Sequence, residues 1–174
     1  MPVVVSLLEE PAAGHLRTLW EGLEREFGLQ PPASPPHLTY HAAEAYDLER
    51  VGAALKSLGR SLPPFTVRCE GLALFPADPA VLSISVVRTP RLTLLQRNVF
   101  EEVRGHARDG SPYHHPDRWM PHLTLARGTF APDVLGAMVA WLVRQELSFE
   151  VAVTNLGVID GEGSAVICRH ELTG

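Results

Sequence analysis

The chain predicts an α+β protein made of a duplicated unit, and three observations carry that prediction. The tripeptide His37-Leu38-Thr39 returns as His122-Leu123-Thr124, each time after a proline (Pro36, Pro121) and before a bulky residue. After each copy come a helix-patterned stretch and a strand opening Phe-Xaa-Val, at Phe65 and at Phe149. The spacing agrees: the motifs are offset by 85 positions (122 − 37) and the later strands by 84 (149 − 65). At the second offset Val67 meets Val151, Leu72 meets Leu156 and Phe75 meets Ile159. A one-residue difference in the helix connection accounts for the shift. Each half then reads strand, helix, motif strand, helix, strand, strand, with a pseudo-two-fold axis between the halves.

The elements follow in order. Residues 3–8 are an apolar run of strand length, without the basic start or cleavage site of a signal peptide. Leu16, Leu19, Trp20, Leu23 and Phe27 fall at helical spacing, and Gly28 supplies the stop. Residues 30–36 hold four prolines and read as loop, and 37–42 are short and strand-like. Asp47 is placed to cap a helix striped by Leu48, Val51, Leu55, Leu58 and Leu62. Strands at 65–75 and 81–87 are joined across Pro76-Ala77-Asp78-Pro79, the second ending one half and opening the next. Pro90 opens a third helix with Leu92, Leu95, Val99 and Val103 inward. The polar segment 108–121 is the longest loop and leads into a strand at 122–127, then a helix from about 132 to 146. A hairpin closes the chain: 149–159, a turn at Asp160-Gly161, then 165–172.

A length of 174 residues suits a single domain over residues 1–174, with lobes built roughly from repeats 1–87 and 81–174. With 15 basic residues against 20 acidic, the net charge of −5 makes the chain a poor partner for long duplex nucleic acid. A small nucleotide or an RNA end still fits, because a local cluster can be basic on an acidic body. Every basic residue except Lys56 is arginine, whose planar fork grips phosphate well. Cys69 and Cys168 lie in strand-like apolar runs without metal-ligand spacing and read as buried free thiols. No apolar stretch approaches the ~20 residues of a membrane span, so a cytoplasmic monomer with no membrane partner is expected.

Alternation on a strand puts His37 with Thr39, and His122 with Thr124, on shared faces. Leu38 and Leu123 then point into a core under the helices. If the axis relates the strands, both histidine–threonine faces line one cleft. Such a cleft suits in-line displacement at phosphorus: one neutral imidazole takes a proton from the attacking oxygen and the other, protonated, donates to the leaving oxygen. The threonine hydroxyls hold the non-bridging oxygens as their charge rises. No metal or other cofactor is required.

Pro36-His37-Leu38-Thr39 and Pro121-His122-Leu123-Thr124-Leu125-Ala126-Arg127 resemble the two signature motifs of the 2H phosphoesterases, nearest the bacterial 2′-5′ RNA ligase and RNA 2′,3′-cyclic phosphodiesterase family. Gly71-Leu72-Ala73-Leu74-Phe75 followed by Val81-Leu82-Ser83-Ile84 also resembles that family's central strands. The resemblance implies a bilobal fold, with antiparallel sheets lining a central cleft and helices outside. It implies metal-free hydrolysis of 2′,3′-cyclic phosphate at a nucleotide or RNA terminus to a 2′-phosphate, with reversible 2′-5′ joining in some members. It makes His37 the proton donor, His122 the acceptor, and Thr39, Thr124 and Arg127 the phosphate contacts. Strict alternation sets Arg127 opposite His122, so a break near Gly128 is what would bring it to the cleft. The first motif continues Tyr40-His41-Ala42-Ala43, with no basic residue. Two alternatives stand beside this reading: a phosphodiesterase for another small cyclic phosphate of the ADP-ribose type, and a nucleotide or RNA-end binding module without turnover.

Smaller features are weighed on the same terms. His41 sits four residues past His37, ~13 Å along the strand, and reads as a solvated rim histidine. His114 and His115 precede His122 in a proline-rich loop without zinc-like spacing, so no metal site is read there. Trp119 reads as a packing anchor. Tyr113 and Phe75 are open between stacking a base at the rim and a structural role.

Overall fold

The computed structural model describes residues 1–161 and 165–174. Nine strands and four helices alternate as β1 (Val3–Leu7), α1 (Ala12–Phe27), β2 (His37–Tyr46), α2 (Leu48–Ser61), β3 (Phe65–Phe75), β4 (Ala80–Val86), α3 (Pro90–Arg104), β5 (Ala107–Gly110), β6 (His122–Gly128), α4 (Pro132–Leu142), β7 (Phe149–Val153), β8 (Asn155–Ile159) and β9 (Val166–Glu171) among the described residues. A single turn of 3₁₀ helix, Pro112–His114, lies between β5 and β6.

The helices stop where local chemistry stops them. Gly28 closes α1 in the left-handed conformation at φ 69°, which glycine adopts without steric cost. The Asp47 side chain accepts from the Arg50 N–H at the start of α2, and Thr89 accepts from the Leu92 N–H at the start of α3. The last helix ends at Leu142, short of the expected 146. Its final turn tightens, with Arg144 N–H bonded to Trp141 O and Gln145 N–H to Leu142 O, and the chain turns toward β7.

Two antiparallel sheets result, ordered β5-β2-β1-β8-β9 and β6-β4-β3-β7. Helices α2 and α3 pack against strands of the first, and α1 against β6 and β7 of the second. One large core joins them and holds both motif leucines, Leu38 and Leu123, at 0% exposure, as alternation required. A smaller cluster of Val5, Leu7 and Ile159, with Val3 against it, lies on the other face of the first sheet.

The sheets are not the two halves of the sequence. Strand β8 comes from the second half but pairs with β1, while β3 from the first half lies between β4 and β7. The lobes expected at 1–87 and 81–174 are therefore crossed by exchanged strands. The exchange also divides the expected strand at 149–159: Phe149–Val153 pairs with β3, and after Thr154 the chain enters the other sheet as Asn155–Ile159. At the matching place in the first half, β3 shifts register between Cys69 and Leu72, where Gly71 has φ 77°.

The segment expected as loop from 108 contains β5, which pairs with an extension of β2 as far as Tyr46. Its sequence, Ala-Arg-Asp-Gly, carries no apolar alternation to reveal it. Both cysteines are free; Cys69 is buried and Cys168 half-buried. Residues 162–164, within the connection expected in the closing hairpin, lie outside the described residues. No helix among the described residues is long and apolar enough to cross a membrane.

Candidate active site

Each motif histidine is the first residue of its strand, and each is tied to its own entry loop. His37 Nδ1 lies 2.8 Å from Pro35 O, and His122 Nδ1 lies 2.8 Å from Met120 O. A carbonyl can only accept, so Nδ1 carries the proton in both rings. Nε2 is then the atom that remains for chemistry: a lone pair when the ring is neutral, an N–H donor when it is charged. The same i to i−2 bond at both sites makes the two imidazoles equivalent in tautomer and in aim.

The strands share a second device. Val5 pairs with Thr39 and Val4 with His41, so Tyr40 is an extra residue in β2. Ser83 pairs with Thr124 and Leu82 with Ala126, so Leu125 is an extra residue in β6. Each motif therefore ends in a one-residue bulge just after its threonine, and the bulge reverses the in–out phase beyond it. In β6 the reversal places Arg127 opposite Val81, on the side that carries Ser83, Thr124 and His122. The bulge, not a break near Gly128, brings Arg127 to the cleft. In β2 the position equivalent to Arg127 is Ala42, so only the second motif supplies a cation.

A cleft of about 460 Å³ lies between the sheets, lined by His37, His122, Thr124, Arg127 and Val81, with Pro32, Ala33 and Ser34 from the proline-rich loop. Thr39 is set on the cleft face of β2 by pairing with Val5 but does not line this free volume. Four of the five expected residues thus surround one space, and the fifth stands beside it. Among the described residues, no three of His, Cys, Asp and Glu are grouped so as to hold a metal ion.

Burial lowers both histidines below the ordinary imidazole pKa. His37 is lowered first by burial and further by the charge of a protonated His122, against the supporting Pro35 carbonyl. His122 is lowered by burial, against the supporting Met120 carbonyl. Like charges repel, so a proton on one imidazole disfavours a second on the other. The half-buried Phe75 ring lies tilted against the His122 ring, with centroids 4.6 Å apart.

The model of the 2′-5′ RNA ligase superfamily matches residues 8–165, most of the chain. The chain belongs to that superfamily, the 2H phosphoesterases. Its fold is shared with the crystal structure of TT0787 from Thermus thermophilus, at 20% identity and TM-score 0.64, covering 99% of this chain and 98% of that one. Escherichia coli LigT complexed with 3′-AMP is similar at 18% identity and TM-score 0.58, covering 99% and 98%. A further structure described as a phosphoesterase gives 19% identity and TM-score 0.58 over 99% and 98%. No curated protein matches the chain.

Beyond the superfamily motifs, several residues stand elsewhere than alternation alone puts them. His41 is not a solvated rim residue: it is 2% exposed, because the bulge at Tyr40 turns it inward. Its Nδ1 is 2.6 Å from the Tyr46 hydroxyl, its ring faces Phe100, and burial pushes its pKa down to about 4. His114 is also pushed down to about 4, chiefly by burial and then by the charges of protonated His41 and His122. His115 lies edge-on to Phe100 and beside Asp117. Tyr113 is exposed, under the Arg118 guanidinium at 5.3 Å. Trp119 is buried as expected, but its indole N–H also donates to Thr39 O at 2.9 Å. Three contributors carry no functional signal in the sequence. Trp20 donates to Thr124 O at 3.0 Å, Gln96 donates to Tyr40 O and His114 O, and Ser83 stands across from Thr124. Trp20 falls in the helical stripe of α1 and Ser83 in the central-strand stretch Val81-Leu82-Ser83-Ile84, and both patterns read as structural.

Proposed function

We propose that this 2H phosphoesterase hydrolyses 2′,3′-cyclic phosphate at a nucleotide or RNA terminus to a 2′-phosphate. The observation that carries the proposal is the matched pair of imidazoles. Each is fixed through Nδ1 to a backbone carbonyl, and both line one cleft with Thr124 and Arg127. In the reaction a water oxygen attacks phosphorus and loses its proton to Nε2 of a neutral histidine. The bond from phosphorus to the ribose 3′ oxygen breaks, and that oxygen takes a proton from Nε2 of the charged histidine. By family likeness His37 is the donor and His122 the acceptor. Thr39, Thr124 and Arg127 hold the non-bridging oxygens, whose charge grows in the transition state. A 5′ hydroxyl in place of water gives 2′-5′ joining by the same steps. Arg127 is the one arginine or lysine lining the cleft among the described residues, and the chain carries a net charge of −5. Both favour a nucleotide or short RNA end over large structured RNA.

A panel of 2′,3′-cyclic nucleotides, a cyclic-phosphate-ended oligonucleotide and an ADP-ribose cyclic phosphate tests the substrate. Turnover of the first two supports the reading. Turnover of the third alone moves the enzyme to another small cyclic phosphate, and tight binding without turnover makes it a binding module.

Two further results are expected. Hydrolysis persists after exhaustive chelation and dialysis, because two imidazoles suffice for both proton transfers. Activity that vanishes with chelator and returns with zinc or manganese would overturn this. Thr124→Ala and Thr39→Ala each lower turnover by roughly 10- to 1,000-fold with the fold retained by circular dichroism, the effect of losing one donor to a developing oxyanion. A wild-type rate in either variant returns that threonine to a purely structural role.

A further inference from the structure

The bulges that shape the two motifs each carry an unusual bond. Beyond a bulge the ladder is locally disrupted, and the carbonyl beside it needs another donor. At Thr39 that donor is the Trp119 indole N–H, at 2.9 Å; at Thr124 it is the Trp20 indole N–H, at 3.0 Å. The two tryptophans occupy unrelated places in the repeat. Trp20 lies in the middle of α1, whereas Trp119 is three residues before the second histidine. Yet each reaches the same atom of the opposite motif: the tryptophan preceding motif one holds motif two, and the reverse. Both are buried, at 7% and 2% exposure. Trp119 is itself held by the tilted Tyr40 ring, at 5.9 Å, and by Arg88, whose guanidinium lies 5.8 Å from its ring and donates to Trp119 O.

We propose that Trp20 and Trp119 are reciprocal positioning residues, each fixing the threonine and bulge of the other half's motif. The bond from Trp20 sets the backbone from which the Thr124 hydroxyl and, three residues on, the Arg127 guanidinium enter the cleft. The bond from Trp119 does the same for Thr39. Because each bond crosses between halves, the two phosphate-holding edges are set relative to each other as well as to their own strands. The inference rests on the assignment of the threonines to the substrate phosphate.

Double-mutant cycles on hydrolysis of a 2′,3′-cyclic nucleotide test it, with Trp→Phe keeping most of the ring and removing the N–H. Trp20→Phe is expected to lower kcat/KM about tenfold in the wild-type background and less than about twofold on Thr124→Ala, but still about tenfold on Thr39→Ala. Trp119→Phe should show the mirror pattern, losing its effect only on Thr39→Ala. The limbs of the pH–rate profile should not move, since the histidines keep their carbonyl partners. A tryptophan that matters only for packing cannot choose between the threonines. Equal, additive losses in both backgrounds, or wild-type rates, therefore overturn the proposal. Where a phenylalanine variant fails to fold, benzothienylalanine at the same position keeps the indole shape without the N–H and replaces it in the cycle. Failure of the functional reading looks different: Thr39→Ala and Thr124→Ala then leave the rate unchanged before any tryptophan is altered.

Discussion

His37→Ala and His122→Ala are each expected to lower turnover of a 2′,3′-cyclic nucleotide by about 10²- to 10⁴-fold, with the fold retained. Removing both should cost little more than removing the worse of the two, because the proton transfers act as a unit. The pH profile of kcat/KM should be bell-shaped, since one ring must be charged and the other neutral. Both histidines are lowered from the usual imidazole value, so the maximum belongs below about pH 6.5. A flat profile through neutrality would count against the pair. The proposed roles make His37 the donor and His122 the acceptor. A diester with p-nitrophenolate as leaving group assigns the roles, because that group barely needs a proton. His37→Ala should recover much of its loss on this substrate and His122→Ala should not. The opposite rescue reverses the roles and keeps the mechanism.

The second large effect is on stability in mild acid. His41 is neutral and buried, with its pKa pushed down to about 4, while an unfolded chain protonates the same ring near 6.5. Between those values the unfolded state binds the extra proton. The stabilisation is therefore fully present above about pH 6.5 and is lost as pH falls toward 4. At about 1.4 kcal/mol per unit, His41 alone accounts for about 3 kcal/mol over that window. His114, lowered to about 4, acts in the same direction, as do His37 and His122. Urea midpoints should fall steeply from pH 6.5 to 5, before most carboxylates titrate, and His41→Gln should flatten that slope. Midpoints independent of pH in this range would show that these rings accept protons without unfolding.

Periodicity and repetition made most of the fold legible. The stripe from Leu92 to Val103, the cap at Asp47 and the bounds of β3 all follow from local chemistry that needs no tertiary partner. Three features did not, each decided by a neighbour distant in sequence. Strand β5 is polar and exists because the end of β2 pairs with it. The division at Thr154 reflects a choice between two sheets that an unbroken apolar run cannot show. The bulges at Tyr40 and Leu125 defeat strict alternation, which by itself sets His41 outside and Arg127 on the wrong face. At the site, the repeated tripeptide pointed to the histidines and threonines. The indole donors that hold those threonines come from the other half and leave no local pattern.

The strand exchange has a consequence for how such a molecule could be divided. Cut between the repeats, the first half would leave β1 without β8 beside it, and β3 would lie without β7. Both would expose unpaired backbone along apolar strands, an edge that recruits other chains. Two copies of one half could close these edges only by lending strands to each other, in a swapped dimer whose assembly depends on concentration. Joining the copies in one chain makes that loan intramolecular, at an effective concentration in the millimolar range that dilution cannot lower. Covalent linkage is thus what lets two strand-exchanging halves exist as a single molecule, with an arginine five residues after the second motif histidine and an alanine at that place after the first.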